Sequence, residues 1–321
     1  MGKAKHIVVS GGAGFIGAHV ARRLIYEGYK VTVLDNLSTG KEENIPKDAN
    51  FIKIDLGLEE SYAYLENLSC DAVFHLAGQS SGEASFKDPF RDLRSHVLST
   101  FLLLRWCKEN GINRFLYASS MAIYGDPEEL PVNEKHPLQP KTFYSAAKIA
   151  AEAYVNLYQT LGIQTTIFRF FSIYGCRQNL KNREQGMVSI FLSYMLDKTK
   201  ITVKGSKDRF RDFVYIDDLV DVLISSYNNP ATYGKIYNVA SGERTTVEDL
   251  IEGLKVSFGN PEYPEYPEYP VEYKDGTPGD QFGIVGDNKL ILEDLKWKPK
   301  VALQKGLDIM VNYEKERLNI E

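Results

Sequence analysis

The sequence has few cysteines and no long apolar run, and each shortage excludes a class of protein. Its three cysteines, Cys70, Cys107 and Cys176, lie far apart and form no C-x-x-C pair, which disfavours disulfides and zinc sites. No stretch nears the roughly 18 apolar residues of a membrane span. The N-terminus runs directly into a predicted strand and leaves no room for a signal peptide. We therefore expect a soluble, cytoplasmic protein with no metal site and no membrane partner.

An excess of basic residues is also missing. The formal net charge is -5, with 38 Lys and Arg against 43 Asp and Glu, which disfavours a nucleic-acid partner. In other respects the composition is that of a globular protein, with 43% hydrophobic and 25% charged residues. The 321 residues suffice for one large domain or two modest ones.

The N-terminal stretch His6–Asp35 has the pattern of a βαβ nucleotide-binding unit. A predicted strand breaks into Gly11-x-x-Gly14-x-x-Gly17, a helical pattern follows, and a second strand ends in Asp35. The glycines let the backbone approach a diphosphate, to which the helix N-terminus offers free N–H groups. The carboxylate of Asp35 is placed to bind both ribose hydroxyls and would repel a 2′-phosphate, which favours NAD over NADP. An ordinary strand–helix turn would need neither the three glycines nor the acid.

Four further strand patterns follow, the last of them over residues 164–174, and they end in small or polar residues. Because the carboxyl ends of parallel strands hold the ligands of an open α/β sheet, we expect the site there. Asp55 and Leu56 follow one such strand and would flank an adenine, although Asp55 would serve equally well as a helix N-cap. His75 lies within another strand and is expected to pack in the sheet rather than to catalyse.

The motif Tyr144-x-x-x-Lys148 opens a predicted helix that runs to about Tyr158. A spacing of four places both side chains on one face of the helix. An ammonium beside a phenol stabilises the phenolate and lowers its pKa from about 10. Taken alone, this spacing is common and usually structural. Because it follows a dinucleotide-binding pattern and a strand that ends in Ser119-Ser120, we favour a catalytic role.

Two later features are less specific. Arg211, in a basic strand pattern over 209–215, is a candidate clamp for a diphosphate, because a guanidinium fork matches phosphate oxygens. A surface ion pair with Asp208 or Asp212 is the alternative. Residues 261–270 repeat Pro-Glu-Tyr in tandem and are predicted to form an extended surface loop.

Together these motifs resemble those of the extended short-chain dehydrogenase/reductases. Besides the glycine motif and Tyr144-x-x-x-Lys148, the likeness includes Asp35-Asn36-Leu37, His75-Leu76-Ala77-Gly78, Ser119-Ser120, Tyr124-Gly125, Arg211-Asp212-Phe213, Tyr237-Asn238-Val239-Ala240 and Pro278-Gly279-Asp280. More narrowly, the chain is similar over nearly its whole length to the NAD-dependent nucleotide-sugar epimerases and dehydratases, and most similar to the 4-epimerases.

The resemblance implies a Rossmann-type, doubly wound parallel sheet with a smaller, mainly C-terminal α/β substrate domain. It divides the chain into an NAD-binding domain over 1–178, to which the chain returns around 213–243, and a nucleotide-sugar domain over 179–212 and 244–321. The implied partner is a nucleotide-diphosphate sugar. Members are often homodimers through a four-helix bundle, for which predicted helices near 91–109 and 145–160 are available.

The implied reaction is a 4-epimerisation with NAD as the cofactor. Tyr144, as phenolate, removes the proton of the sugar 4-hydroxyl, Ser120 hydrogen-bonds the same oxygen, and Lys148 holds the nicotinamide ribose. A 4-dehydrogenase or 4-ketoreductase would use the same three residues. A non-catalytic NAD-binding regulator is the third hypothesis, although such proteins tend to lose the Tyr or the Lys.

Motifs and resemblance together predict the contact residues. Those predicted at the cofactor are Gly11, Gly14, Phe15, Ile16, Gly17, Asp35, Asn36, Ser38, Gly40, Asp55, Leu56, Leu76, Ala77, Gly78, Ala118, Tyr144, Lys148 and Phe171. Those predicted at the substrate are Ser80, Ser81, Ser120, Met121, Ser172, Val188, Arg211 and Asp280.

Several residues depart from the family pattern. Dehydratases and decarboxylases carry acids directly after the catalytic hydroxyl residue, whereas this chain has Met121 and Ala122, which do not shuttle protons. An epimerase needs no such acid, so the departure favours epimerisation. Ser172 occupies a position where the family pattern has an Asn, and Thr277 one where it has an Arg. Both differences imply rearranged contacts with the sugar and the diphosphate. His96 also stands where the family pattern has an Asn.

Overall fold

The computed structural model describes residues 5–259 and 269–319. The predicted extended loop over 261–270 lies outside these residues, apart from Tyr269 and Pro270. Among the described residues, no helix combines the length and the apolar character needed to cross a membrane.

The described residues form alternating strands and helices. The strands are β1 (His6–Ser10), β2 (Lys30–Asp35), β3 (Asn50–Lys53), β4 (Ala72–His75), β5 (Arg114–Ser120), β6 (Gln164–Phe170), β7 (Ser172–Tyr174), β8 (Ile201–Lys204), β9 (Phe210–Arg211), β10 (Phe213–Tyr215), β11 (Lys235–Val239), β12 (Thr245–Thr246) and β13 (Val271–Lys274). The α-helices are α1 (Phe15–Tyr26), α2 (Gly82–Lys87), α3 (Pro89–Asp92), α4 (Ser99–Glu109), α5 (Phe143–Thr160), α6 (Met187–Leu196), α7 (Ile216–Tyr227), α8 (Val247–Phe258), α9 (Lys289–Leu295) and α10 (Leu303–Leu318).

Seven strands form one parallel sheet in the order β11-β6-β5-β4-β1-β2-β3. Because the strand order reverses at β1, this is the doubly wound arrangement of two βαβ halves, and the predicted Rossmann-type fold is confirmed. The remaining strands pair in three small sheets, β10 with β7, β12 with β9 and β13 with β8. All six of these short strands follow β6 in the chain.

Side-chain alternation along the main sheet builds a core on each of its faces. Ile7 and Val9 of β1 pack in one apolar cluster, whereas Val8 between them packs in the other. The first cluster includes residues of α1 and α7, and the second includes residues of α4 and α5. A parallel sheet buried on both faces explains why its strands read as nearly continuous apolar runs.

Three predicted elements differ from the structure. The strand expected over 164–174 is divided, because the N–H of Ser172 donates to the Asp212 carbonyl and the chain leaves the main sheet for β10. The strand expected over 209–215 is likewise divided at Asp212 into β9 and β10. The helix predicted near 91–109 contains a π-helical turn, Leu93–Leu98, between α3 and α4.

Helix α5 carries Tyr144, Lys148 and Glu152 on one buried face. Its first turn is fixed by a capping box in which Thr142 and Ser145 accept each other's backbone N–H groups. Farther along, Glu152 forms a bidentate ion pair with Arg169 of β6, with N–O distances of 3.0 and 2.8 Å. This pair therefore fixes the rotation of the helix that holds Tyr144 and Lys148.

We expect Glu152→Ala to lower the free energy of unfolding by about 3–5 kcal/mol, because it leaves the buried guanidinium of Arg169 without its carboxylate. Urea denaturation followed by circular dichroism measures the change. The matched control is Glu248→Ala, which breaks the exposed ion pair with Lys207 and should leave the free energy of unfolding almost unchanged. Equal losses in the two variants would contradict the role given to Glu152.

Candidate active site

A cavity of about 420 Å³ lies at the carboxyl ends of β1, β2, β4 and β5. Gly11 begins the turn between β1 and α1 with a φ of +72°, and a Cβ there would lie 2.7 Å from the Ala77 nitrogen. The turn therefore requires glycine, both for its backbone conformation and for the close approach of the β4 end. This geometry fits a diphosphate cradle between the turn and the N-terminus of α1.

Asp35 ends β2 and lines the same cavity. Its carboxylate accepts the N–H of Ala13 at 3.0 Å and that of Leu37 at 2.8 Å, which fixes its orientation. A carboxylate has about four acceptor sites, so lone pairs remain for ribose hydroxyls. Asn36 donates to Asp55 at 3.2 Å, which ties the loops after β2 and β3 together at the adenosine end.

We expect Asp35→Ser to weaken NAD binding by roughly 10- to 100-fold and to narrow the preference for NAD over NADP, because a charge-assisted acceptor is lost. Titration calorimetry with each dinucleotide measures both effects. Glu43→Ser removes an exposed carboxylate from the following loop and is the control. An unchanged ratio of NAD to NADP affinity would contradict the assignment of Asp35 to the ribose.

A second cavity of about 340 Å³ adjoins the first. Ser120 and Met121 lie at one part of its wall, and Arg209, Arg211 and Asp280 lie at another. Tyr144 lines both cavities, as do Ser80 and Gln185. The phenol of Tyr144 therefore stands where a ligand of one cavity would meet a ligand of the other.

Lys148 lies one turn after Tyr144 on α5 and lines the first cavity. Its Nζ donates to the Ala118 carbonyl at 2.6 Å and lies 6.0 Å from the centre of the Tyr144 ring. Burial lowers the pKa of Lys148 to about 7, against the opposing effect of Glu152 and Asp92. The amine is therefore able to exchange its proton near neutral pH.

Burial outweighs the lowering of the Tyr144 pKa that an ammonium at Lys148 is expected to give. Burial raises the pKa of Tyr144 to about 12, the interaction with Ser120 lowers it only in part, and the charge of Asp92 raises it further. The reason is that removing a phenolate from water costs more than one hydroxyl contact returns.

The histidines near the site have different surroundings. His75 is buried in β4, where its ring nitrogens contact the hydroxyls of Ser10 at 2.6 Å and Thr100 at 3.0 Å, so it packs in the sheet as expected. His96 lies in the π-helical turn, with its ring centre 5.3 Å from that of Tyr144 and its Nε2 3.6 Å from Asp92. Burial keeps the pKa of His96 well below its usual value, so the ring is neutral.

Arg211 lines the second cavity, but neither alternative ion pair is present. Its guanidinium donates to Asp280 at 2.8 Å and to the Phe210 carbonyl at 2.8 Å. Asp212 is instead buried and accepts from Ser241, Gly242 and Gly286. The alternative interpretation of Arg211, a surface ion pair with Asp208 or Asp212, is therefore wrong, because its partner is Asp280.

Most of the predicted contact residues line one of the two cavities. At the first cavity these are Gly11, Gly14, Phe15, Ile16, Gly17, Asp35, Asn36, Ser38, Gly40, Asp55, Leu56, Leu76, Ala77, Gly78, Ala118, Tyr144 and Lys148. At the second they are Ser80, Ser120, Met121, Arg211 and Asp280.

Four predicted contact residues line neither cavity. The ring of Phe171 packs in a small apolar cluster, and Phe170 lines the first cavity in its place. Val188 is fully enclosed in the main core, and Ser81 uses its hydroxyl as the N-cap of α2. Ser172 lies in β7 and pairs with β10.

Sequence reasoning missed Arg209 as a cavity residue. It stands two positions before Arg211 on an extended segment, and side chains two apart on such a segment share a face. That spacing was the available signal. Gln185, which lines both cavities from the loop before α6, carried no comparable signal.

Comparison with known proteins agrees with this geometry. The family model for the NAD-dependent epimerase/dehydratase family matches residues 7–240, and this chain belongs to that family. UDP-glucose 4-epimerase of Mycolicibacterium smegmatis is 31% identical over 313 residues, which cover 95% of this chain and 97% of the relative. UDP-glucuronic acid decarboxylase 1 of Arabidopsis thaliana is 30% identical and covers 98% of this chain and 71% of its own length.

Two solved structures are similar over almost the whole chain. UDP-glucose 4-epimerase of Thermotoga maritima, solved with UDP-glucose, has a TM-score of 0.91 and 34% identity, with 98% of this chain and 99% of that one covered. UDP-glucose 4-epimerase of Thermus thermophilus, solved with NAD, has a TM-score of 0.87 and 32% identity, with 96% and 98% covered. The chain is thus a member of an NAD-dependent enzyme family that acts on nucleotide sugars.

Proposed function

We propose that this chain is a nucleotide-sugar 4-epimerase that oxidises its substrate transiently at C4 and returns the hydrogen to the opposite face. The observation that carries the proposal is the position of Tyr144, which lines both cavities between Ser120 and Lys148. Similarity to a relative solved with UDP-glucose supports a uridine nucleotide as the first substrate to test.

The first cavity has the donors and acceptors that NAD requires. Asp35 would hold the adenosine ribose, the turn at Gly11 would face the diphosphate, and Lys148 would hold the nicotinamide ribose. NAD bound there would supply a hydride acceptor beside the sugar C4.

The residues of the chain would handle the proton. The phenolic oxygen of Tyr144 takes the proton of the sugar 4-hydroxyl, and the hydroxyl of Ser120 donates a hydrogen bond to the same sugar oxygen. Because burial raises the pKa of the phenol, the positive charge of Lys148 is needed to stabilise the phenolate as the proton moves. The buried Glu152–Arg169 pair keeps the helix with both residues in register.

The acids of the second cavity favour epimerisation over dehydration or decarboxylation. Its lining carboxylates are paired: Glu83 with Lys204, Glu184 with Lys87, and Asp280 with two arginines. Met121 and Ala122, directly after Ser120, are apolar. A dehydratase needs an acid at the reacting carbon, and paired carboxylates are poor proton donors at neutral pH.

The experiment incubates the purified protein with UDP-glucose and no added NAD, and follows the sugar by proton NMR. An epimerase converts it to UDP-galactose with no net NADH absorbance, whereas a 4-dehydrogenase produces NADH only when NAD is supplied. UDP-N-acetylglucosamine forms a second arm. If wild-type protein converts none of the common UDP-, GDP-, ADP- or dTDP-hexoses, the epimerase proposal fails.

We further propose that residues 1–178 and 213–243 form the NAD-binding domain and residues 179–212 and 244–321 the substrate domain.

A homodimer through the helices near 91–109 and 145–160 is supported by apolar side chains exposed on them. Leu93, Leu98 and Leu157 are 52%, 39% and 52% exposed, respectively. Light scattering at several protein concentrations tests the dimer; a monomer at all of them would refute it.

A further inference from the structure

A buried carboxyl group that the proposed reaction does not use lies near Tyr144 and Lys148. Asp92 is the last residue of α3 and is 1% exposed. The Nε2 of Gln79 donates to its Oδ1 at 2.6 Å, whereas its Oδ2 is shielded and has no hydrogen-bond partner within the described ranges. Because a buried carboxylate with so few partners is costly, Asp92 is a candidate for a functional role.

His96 connects Asp92 to Tyr144. It lies in the π-helical turn, with its Nε2 3.6 Å from the Asp92 carboxylate and its ring centre 5.3 Å from that of Tyr144. Gly78, just after β4, has a φ of +148°, and a Cβ there would lie 2.4 Å from Cε1 of His96. The imidazole therefore fills the space between the end of β4, the carboxyl and the phenol. Burial holds the pKa of His96 well below its usual value, so the ring adds no charge of its own.

The charge of Asp92 acts on both members of the Tyr144–Lys148 pair. Burial lowers the pKa of Lys148 to about 7, and the negative charges of Glu152 and Asp92 oppose that effect. Burial raises the pKa of Tyr144 to about 12, and the charge of Asp92 adds to that rise. Glu152 is already paired with Arg169, whereas no lysine or arginine of the described chain forms an ion pair with Asp92. Asp92 therefore has charge available for Lys148.

The other titratable groups around this cluster do not take over that effect. Burial lowers the pKa of His75 to about 3 and raises the pKa of Tyr117 well above its usual value, so both side chains are neutral near pH 7. Burial also raises the pKa of Asp92, on which the charges of Arg91 and Asp88 have smaller, opposite effects.

We propose that Asp92 is a positioning residue that serves as the counter-charge of Lys148, and that His96 holds its carboxylate near the Tyr144–Lys148 pair. The inference rests on the proposed function and concerns the pH range in which that pair moves the proton. A negative charge favours the protonated form of each neighbour, so Asp92 keeps Lys148 an ammonium and shifts the ionisation of Tyr144 to higher pH. Because strongly interacting groups titrate as a pair, both limbs of the pH–rate profile depend on Asp92.

The test compares the pH dependence of kcat for UDP-glucose in wild type, Asp92→Asn, Asp92→Glu and Asp88→Asn. Asp92→Asn removes the charge and keeps the shape, so both limbs of the profile should move to lower pH by about 0.5 to 1.5 units. Asp92→Glu keeps the charge and should leave the limbs in place even where kcat falls. A loss of packing alone would lower kcat without moving either limb.

Asp88→Asn is the matched control. Asp88 is exposed, lies one helical turn before Asp92, and loses the same charge in this variant. Its side chain accepts the N–H of Arg91 at 3.1 Å, and Asn caps a helix equally well. Because an exposed charge is screened, the limbs should stay within about 0.2 units of wild type. If Asp92→Asn loses its NAD or its thermal midpoint, Asp92→Ser, which is smaller and also neutral, decides.

A second readout does not require activity. In the NAD-free protein, Asp92→Asn is made with and without Lys148→Met, and the urea midpoints are measured at about pH 6 and about pH 9. At about pH 6 Lys148 is protonated, so Asp92→Asn should lower the urea midpoint relative to its effect in the Lys148→Met background. At about pH 9 the amine is neutral in the folded protein, and the two effects should be equal.

The outcomes separate this inference from the proposed function. If wild type converts a nucleotide sugar and Asp92→Asn leaves both limbs in place, the role of Asp92 is overturned while the proposed function stands. If wild type converts none, the proposed function fails, and the urea midpoints decide whether Asp92 is the counter-charge. Equal effects of Asp92→Asn with and without Lys148→Met at the lower pH overturn the inference in either case.

Discussion

Tyr144→Phe lowers kcat by about 10²- to 10⁴-fold and leaves NAD bound, because the phenyl ring fills the same buried space but accepts no proton. The turnover of UDP-glucose gives kcat, and the dinucleotide released on denaturation gives the NAD content. Both readouts are needed, since a loss of NAD would also lower turnover.

Tyr154→Phe is the matched control for this variant. Tyr154 lies on the same helix, 37% exposed, with its ring packed against that of Phe101. Removing its hydroxyl should leave kcat unchanged. If Tyr144→Phe keeps kcat within about tenfold of wild type, Tyr144 is not the group that moves the proton.

The second large effect is expected from Lys148→Met, which should lower the activity and raise the stability of the protein. The substitution should lower kcat by about 10²-fold or more, because no ammonium then stabilises the phenolate of Tyr144. It should also raise the free energy of unfolding at pH 7 by about 3 kcal/mol. Burial that lowers the pKa of Lys148 from 10.5 to about 7 costs at most about 5 kcal/mol, and loss of the bond to Ala118 removes part of that gain.

The pH dependence of stability identifies the same amine. Below pH 7 Lys148 is protonated in both states and its burial penalty is fully present. Between pH 7 and 10.5 the unfolded chain binds the proton and the folded chain does not, so wild-type stability rises with pH relative to Lys148→Met. Urea titrations of the two NAD-free proteins from about pH 6 to 10 measure the difference. A difference that does not change with pH would contradict the lowered pKa of Lys148.

The sequence was sufficient for the parts of the site that depend on local pattern. The strand, the glycine turn at Gly11, the helix and Asp35 follow each other along the chain, so their spacing predicts their geometry. The Tyr144–Lys148 pair is similarly local, since one helical turn places both on a face. Residues of this kind line the two cavities.

The sequence does not determine the features that depend on tertiary packing. The side chains of Phe170 and Phe171 point to opposite sides of the backbone. An error of one residue in the prediction therefore names the phenylalanine that packs in the core instead of the one that lines the cavity. Val188 lies on the enclosed side of α6, which the mostly apolar sequence of that helix does not reveal. The pKa of Tyr144 depends on its burial, which local spacing does not determine. Arg211 donates to the carbonyls of residues 281 and 282, and contacts between residues so far apart in the chain are not visible in the sequence.

The proposed reaction removes the C4 hydrogen as hydride, while Tyr144 moves only the proton of the 4-hydroxyl. Conversion of UDP-glucose in D₂O, followed by proton NMR with no added NAD, tests this directly. We expect UDP-galactose to form and to keep protium at C4, because the transferred hydrogen never exchanges with solvent. Deuterium at C4 of the product would show that C4 is deprotonated instead, and would contradict the proposed reaction.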